Sequence, residues 1–146
     1  MKRKTSERKR IGWREWVGFP ELGIDRIKTK IDTGARTSAI HAFRIRKIEN
    51  LTEPRVEFYL HPVQNKRYPE LHCTARIADE RVVKSSNGES ETRYVIVTPM
   101  RLGEETWPVE LTLSNRDEMG FRVLTGRAAI RGRYIVDPGA SFLLGK

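Results

Sequence analysis

Ile31-Asp32-Thr33-Gly34-Ala35-Arg36-Thr37-Ser38 is the stretch on which the fold of this 146-residue chain turns. An apolar residue runs straight into Asp-Thr-Gly-Ala, and a serine follows three residues after the alanine. Glycine lets the backbone turn tightly beside a carboxylate. Thr33 and Ser38 offer short hydroxyls of the kind that bond loop amides. Upstream, Ile27, Thr29 and Ile31 alternate with Lys28 and Lys30, the period of a half-buried strand. Asp32 is therefore expected on a rigid turn at a strand end. Alone, Asp-Thr-Gly is also ordinary turn chemistry, so the reading needs a second feature.

The C-terminal third supplies it. In Phe121-Arg122-Val123-Leu124-Thr125-Gly126-Arg127-Ala128-Ala129-Ile130 an apolar strand runs into Gly-Arg and then a short helix-prone segment. Arg133-Tyr134-Ile135-Val136 follows as a terminal strand.

The rest of the chain reads as short strands. Ile11 to Val17 is an apolar-rich opening segment, and Gly18-Phe19-Pro20-Glu21-Leu22-Gly23 is turn chemistry. Ile40 to Ile48 continues in an extended pattern; Val56, Phe58 and Leu60 mark a strand, and residues 61–72 read as loop. Ala75 to Val83 resumes strand character. Lys84-Ser85-Ser86-Asn87-Gly88-Glu89-Ser90 is a hairpin tip, with Asn-Gly supplying the positive backbone angles of a tight turn. Tyr94 to Val97 is expected to end before Pro99, while Val109, Leu111 and Leu113 alternate beyond it. Such spacing predicts an all-β, closed β-barrel, with residues 1–10 a basic tail and 11–146 one domain.

Composition bounds the function. Hydrophobic residues at 38% and charged residues at 32% describe a soluble globular chain, and no apolar run approaches the ~20 residues that span a bilayer. No membrane partner is expected. MKRKTSERKR is basic but is not followed by an apolar segment, so no signal peptide is read and a cytoplasmic location is expected. A net charge of +9 favours acidic partners. Aromatics are not interleaved with the basic clusters, so nucleic acid is not the expected one. Cys73 is alone, and neighbouring His72 and Cys73 would face opposite sides of a strand, which suits one metal poorly even with His41 and His61. There is neither a phosphate loop nor a His-Glu-x-x-His helix, and no cofactor is expected.

The pairing of Asp32-Thr33-Gly34-Ala35 with Gly126-Arg127 resembles the retroviral-type aspartic proteases. Ile11 to Gly18, Lys30 to Ala42, Leu113-Ser114-Asn115-Arg116 and Val136-Asp137-Pro138-Gly139-Ala140-Ser141-Phe142 are similar to a bacterial retropepsin-like family. Its members are often labelled ATP-dependent zinc proteases, and some are associated with the glutamate ligase that modifies a ribosomal protein. The resemblance implies an acid-protease barrel with a short C-terminal helix. It implies Asp32 as the catalytic carboxylate, Thr33, Gly34, Ala35 and Ser38 as its loop, and Leu124, Gly126 and Arg127 as the strand bracing that loop. Thr125 stands where the family usually carries an apolar residue, so its hydroxyl needs a partner. The mechanism implied is water activation between two carboxylates of a homodimer, on a peptide or protein substrate that the basic charge suggests is acidic. The terminal Ser141-Phe142-Leu143-Leu144 would then pair with its symmetry mate. Asp137, in an echo of the Asp-x-Gly-Ala pattern that carries Pro138 in place of threonine, is the internal candidate for the second carboxylate. A non-enzymatic basic barrel that binds an acidic partner (ribosome, nucleic acid or acidic peptide) is the rival reading.

Overall fold

Ile27, Thr29 and Ile31 are buried while Lys28, Lys30 and Asp32 are half-buried between them, so the period of two read from the sequence is the period of the strand. The computed structural model describes residues 4, 7–49, 52–84, 87–115 and 120–145. Along them run β1 (Lys9–Phe19), β2 (Ile24–Asp32), β3 (Ser38–His41), β4 (Phe43–Ile48), β5 (Arg55–Leu60) and β6 (Leu71–Arg76). These are followed by β7 (Asp79–Lys84), β8 (Ser90–Leu102), β9 (Glu105–Ser114), β10 (Val123–Gly126), α1 (Arg127–Ile130) and β11 (Tyr134–Ser141). Ser85 and Ser86 of the expected hairpin tip, Arg116, and residues 1–3, 5 and 6 of the basic tail lie outside the described residues.

The main sheet runs β11-β1-β2-β10-β3-β9-β8-β7, and an added β1–β8 pairing closes β1, β2, β10, β3, β9 and β8 into a six-strand barrel. Closure removes the open edges of those strands. β4, β5 and β6 form a separate antiparallel sheet, whose Val56, Phe58 and Leu60 join the barrel's buried cluster. The all-β closed barrel with a short C-terminal helix is the fold expected from the sequence. Among the described residues no helix is long and apolar enough to cross a membrane.

Several boundaries differ, each for a physical reason. Ile40 to Ile48 is not one extended piece: β3 stays in the barrel and β4 leaves for the second sheet. β6 opens at Leu71, inside the stretch read as loop, because its six residues find a full ladder on β5. β8 passes through Pro99 instead of stopping before it. Pro99 faces Pro108 on β9, so both missing amides fall on a rung that needs no hydrogen bond. Gly18 and Phe19 belong to β1, and only Pro20–Leu22 makes a 3-10 turn. Asp137-Pro138-Gly139 lies within β11 as a bulge, where the register steps from Gly12↔Asp137 to Arg14↔Ser141.

Within the single chain the terminal segment is bonded to β1. Phe142 donates its amide to the Arg14 carbonyl (3.0 Å), and Leu143 and Leu144 donate theirs to the Glu15 carboxylate (2.8 and 3.3 Å). The segment is thus pinned to β1 of its own chain. Glu15 is 0% exposed and also accepts from the Gly12 amide at 2.7 Å. A carboxylate with three backbone donors is a stable way to bury a charge. Glu15→Ala strands all three amides and is expected to lower unfolding free energy by ~3 kcal/mol, with Glu15→Gln losing less. Urea denaturation measures this; equal stability of the alanine variant and the native chain would contradict the clamp.

Candidate active site

β10 comes from the far end of the chain yet lies between β2 and β3. It runs parallel to β2, with Gly126 beside Asp32, and antiparallel to β3. The loop joining β2 to β3 must therefore arch over the end of β10. A Cβ at residue 126 would stand 2.6 Å from the Thr37 carbonyl carbon and 2.8 Å from the Arg36 oxygen, so only glycine fits there.

Five hydrogen bonds fasten the arch. The Gly126 amide donates to Ser38 Oγ (3.0 Å), the Arg127 amide to the Ala35 carbonyl (2.8 Å) and the Ala128 amide to the Arg36 carbonyl (3.0 Å). The Arg127 guanidinium donates to the carbonyls of Thr33 (3.3 Å) and Gly34 (3.1 Å). Inside the loop, Asp32 Oδ1 accepts from the Gly34 amide at 3.0 Å. The carboxylate is thereby oriented by a turn that is itself held from below. Thr33 and Gly34 remain exposed on its outer side.

Thr125 is fully buried, and its hydroxyl finds Thr29 Oγ1 at 2.7 Å; Thr29 also donates to the Val123 carbonyl at 3.2 Å. A threonine pair across β2 and β10 takes the place of an apolar contact, so the bracing is intact.

Asp32 opens into a cavity of about 280 Å³ lined by Lys30, His41, Arg93, Phe121, Arg122 and Leu124, among others. Asp32 is the only carboxylate among the described residues that line it. Lys28 and Lys30 share the outer face of β2 with Asp32, as the alternation required. Arg122 is occupied in holding the 61–70 loop, donating to the Val63 and Lys66 carbonyls at 2.8 Å each.

Asp137 is placed elsewhere. It forms the same kind of turn as Asp32, accepting from the Gly139 amide at 3.0 Å, but it is ion-paired with Arg10 and does not line the Asp32 cavity. The histidines and cysteine spread over the second sheet and its approach. His41 and His61 stack with Phe43, and His72 bonds Glu57 at 2.7 Å. That bond, with Arg46 behind it, holds the Glu57 carboxyl below its usual range. Cys73 packs toward the core, where burial pushes its thiol above the ordinary value and away from nucleophilic use. Sequence reading missed Arg93, because β8 was begun at Tyr94; the alternation of Thr92, Tyr94 and Ile96 after Asn87-Gly88 is the signal that reaches it.

An Asp turn arched over a Gly-Arg strand in a closed β-barrel is the arrangement of the retropepsin-like class of folds. Residues 10–146 match the family described as retropepsin-like aspartic endopeptidase RimB, and the chain belongs to this RimB-like family. It is 53% identical over 136 residues to a probable alpha-L-glutamate ligase of Shewanella pealeana, covering 93% of this chain and 30% of that protein. A protein of the same description from Desulfotalea psychrophila is 48% identical over 139 residues, again 95% of this chain and 30% of the relative. The chain thus spans about a third of the length of these curated relatives. The crystal structure of a Legionella pneumophila protein of unknown function shares the fold, with a TM-score of 0.73 and 23% identity over 93% of this chain and 98% of the other.

Packing at the arch orders the effects of substitution. Gly126→Ala forces Cβ into the loop backbone and is expected to destabilise by more than ~2 kcal/mol. Thr125→Val leaves Thr29 bonded to the Val123 carbonyl and is expected to stay within ~1 kcal/mol of the native chain. Thermal unfolding of the two variants compares them; a benign Gly126→Ala would show that the loop does not sit against β10 as described.

Proposed function

We propose that this chain is one subunit of a homodimeric aspartic peptidase in which two copies of Asp32 share one water. The observation that carries the reading is that Asp32 sits on a braced turn at a cavity that holds no other carboxylate among its described lining residues. One chain thus offers half of a carboxyl pair, and a two-fold axis between two copies supplies the other half. The exposed Thr33-Gly34 turn and the outer edge of β11, where Ile135 is exposed, are the surfaces such a dimer brings together.

In that pair the two carboxylates cannot both ionise at close range, so one keeps a proton. The ionised member removes a proton from the shared water, whose oxygen attacks the scissile carbonyl carbon. The protonated member donates to the carbonyl oxygen as negative charge gathers there. Collapse of the tetrahedral intermediate breaks the C–N bond, and the departing nitrogen takes a proton from the carboxyl that gained one. The step requires neither nucleotide nor metal.

The substrate of this reading is an acidic, glutamate-rich peptide or protein segment. Support comes from Lys28 and Lys30 on the face of Asp32, from the net charge of +9, and from relatives described as probable alpha-L-glutamate ligases.

Asp32→Asn is expected to abolish cleavage of a responsive glutamate-rich peptide, a loss of at least ~1,000-fold in kcat/KM, while Asp137→Asn retains most activity. Cleavage by the native protein is expected to survive chelator and the absence of ATP. Peptide turnover followed by mass spectrometry checks all three; an active Asp32→Asn variant would overturn the assignment.

A further inference from the structure

Arg93 is a half-buried cation whose Nε makes no hydrogen bond. Its side chain is 18% exposed and it lines the Asp32 cavity. Its Nε is buried and makes no hydrogen bond; the Glu91 carboxylate lies 3.8 Å away, beyond donating distance. Directly opposite on β7 stands Arg81. Two like charges facing across a ladder repel each other. Arg81 is met by Asp79 (3.0 Å), Glu110 (3.5 Å) and the Thr37 hydroxyl (3.2 Å), whereas among the described residues Arg93 has Glu91, 3.8 Å away, as its ion-pair partner. Lys30 brings a second positive charge to the same cavity, two residues before Asp32.

Burying a guanidinium nitrogen without a hydrogen bond costs stability. An anion entering the cavity would complete its hydrogen bonding. Guanidinium prefers a planar, two-oxygen partner, which a carboxylate provides. Phe121 and Leu124 line the same space and suit the methylene stem that carries such a group.

We propose that Arg93, aided by Lys30, is the specificity-determining residue of a carboxylate subsite beside Asp32, receiving an acidic side chain of the substrate next to the scissile bond. The proposal rests on the peptidase reading for what the bound chain is, but the subsite binds whether or not cleavage follows. A chain-terminal carboxylate has the same chemistry as a side-chain one, and the assignment here is to the side chain.

The test measures binding without turnover. Asp32→Asn protein is titrated, by fluorescence anisotropy at low salt, with a labelled Ala-Ala-Glu-Glu-Ala-Ala peptide blocked as an amide at its C-terminus. The Gln-Gln counterpart is measured both as amide and as free acid. The glutamate peptide is expected to bind at least ~10-fold more tightly than the glutamine amide. Adding Arg93→Gln is expected to remove that ratio, and Arg93→Lys, which keeps the charge and loses the fork, to leave an intermediate one. An unchanged ratio in either Arg93 variant, or equal binding of the two amides, overturns the subsite; should the glutamine variant not fold, the lysine variant decides. A gain confined to the free-acid glutamine peptide overturns the side-chain assignment. Arg93-dependent preference in a protein that cleaves no peptide would uphold the subsite and remove the peptidase, while cleavage indifferent to Arg93 would do the reverse.

Discussion

The contact between Gly126 and the Thr37 backbone is the constraint on which the rest of the structure depends. β10 reaches its place between β2 and β3 only if the loop above it crosses with nothing but a hydrogen between the two backbones. Once there, the end of β10 and the start of α1 supply amides at residues 126, 127 and 128 to the loop, and Arg127 closes over the outer carbonyls. Asp32 inherits its orientation from this arrangement rather than from its own contacts, of which one intraloop hydrogen bond is the principal one. Rigidity at the carboxylate is therefore a property of residues about ninety positions away in sequence.

The same economy appears on β1, where Glu15 stands opposite Thr29 of β2. Glu15 collects the amides of Gly12, Leu143 and Leu144 and ties the chain terminus to β1. This fixes β11 as an outer strand, parallel to β1, with its far edge unpaired among the described strands. On the neighbouring face, Arg14 stands opposite Lys30, and Trp16 opposite Lys28. Arg26 lies over the Trp16 ring at 3.9 Å and Arg14 over the Phe142 ring at 5.0 Å. Aromatic faces accept these cations in place of carboxylates. The positive charge on this face is thus held by rings rather than by acids.

What the sequence disclosed was what local chemistry dictates. The Asp-Thr-Gly turn, the alternation of β2 and the Gly126-Arg127 pair announce themselves because each requirement falls on a few adjacent residues. What stayed hidden depends on partners far along the chain. Thr125 looked misplaced until Thr29, 96 residues away, supplied its hydrogen bond. Pro99 looked like a strand end because Pro108 opposite it has no local signature. Glu15 sits between Trp13 and Trp16, and nothing in that run marks it as a buried clamp. Arg93 was invisible for a related reason: its place in the Asp32 cavity is decided by the β7–β8 ladder and by where Arg81 finds its acids.

The central claim, that two copies of Asp32 form one catalytic pair, is tested most directly by subunit mixing. Native and Asp32→Asn chains, combined in equal amounts and allowed to exchange fully, give about one native homodimer in four. If both carboxylates are required, activity falls to about one quarter of that of the native protein at the same total chain concentration. Activity of about one half would mean that each chain works with its own Asp32 alone, and would contradict the shared pair.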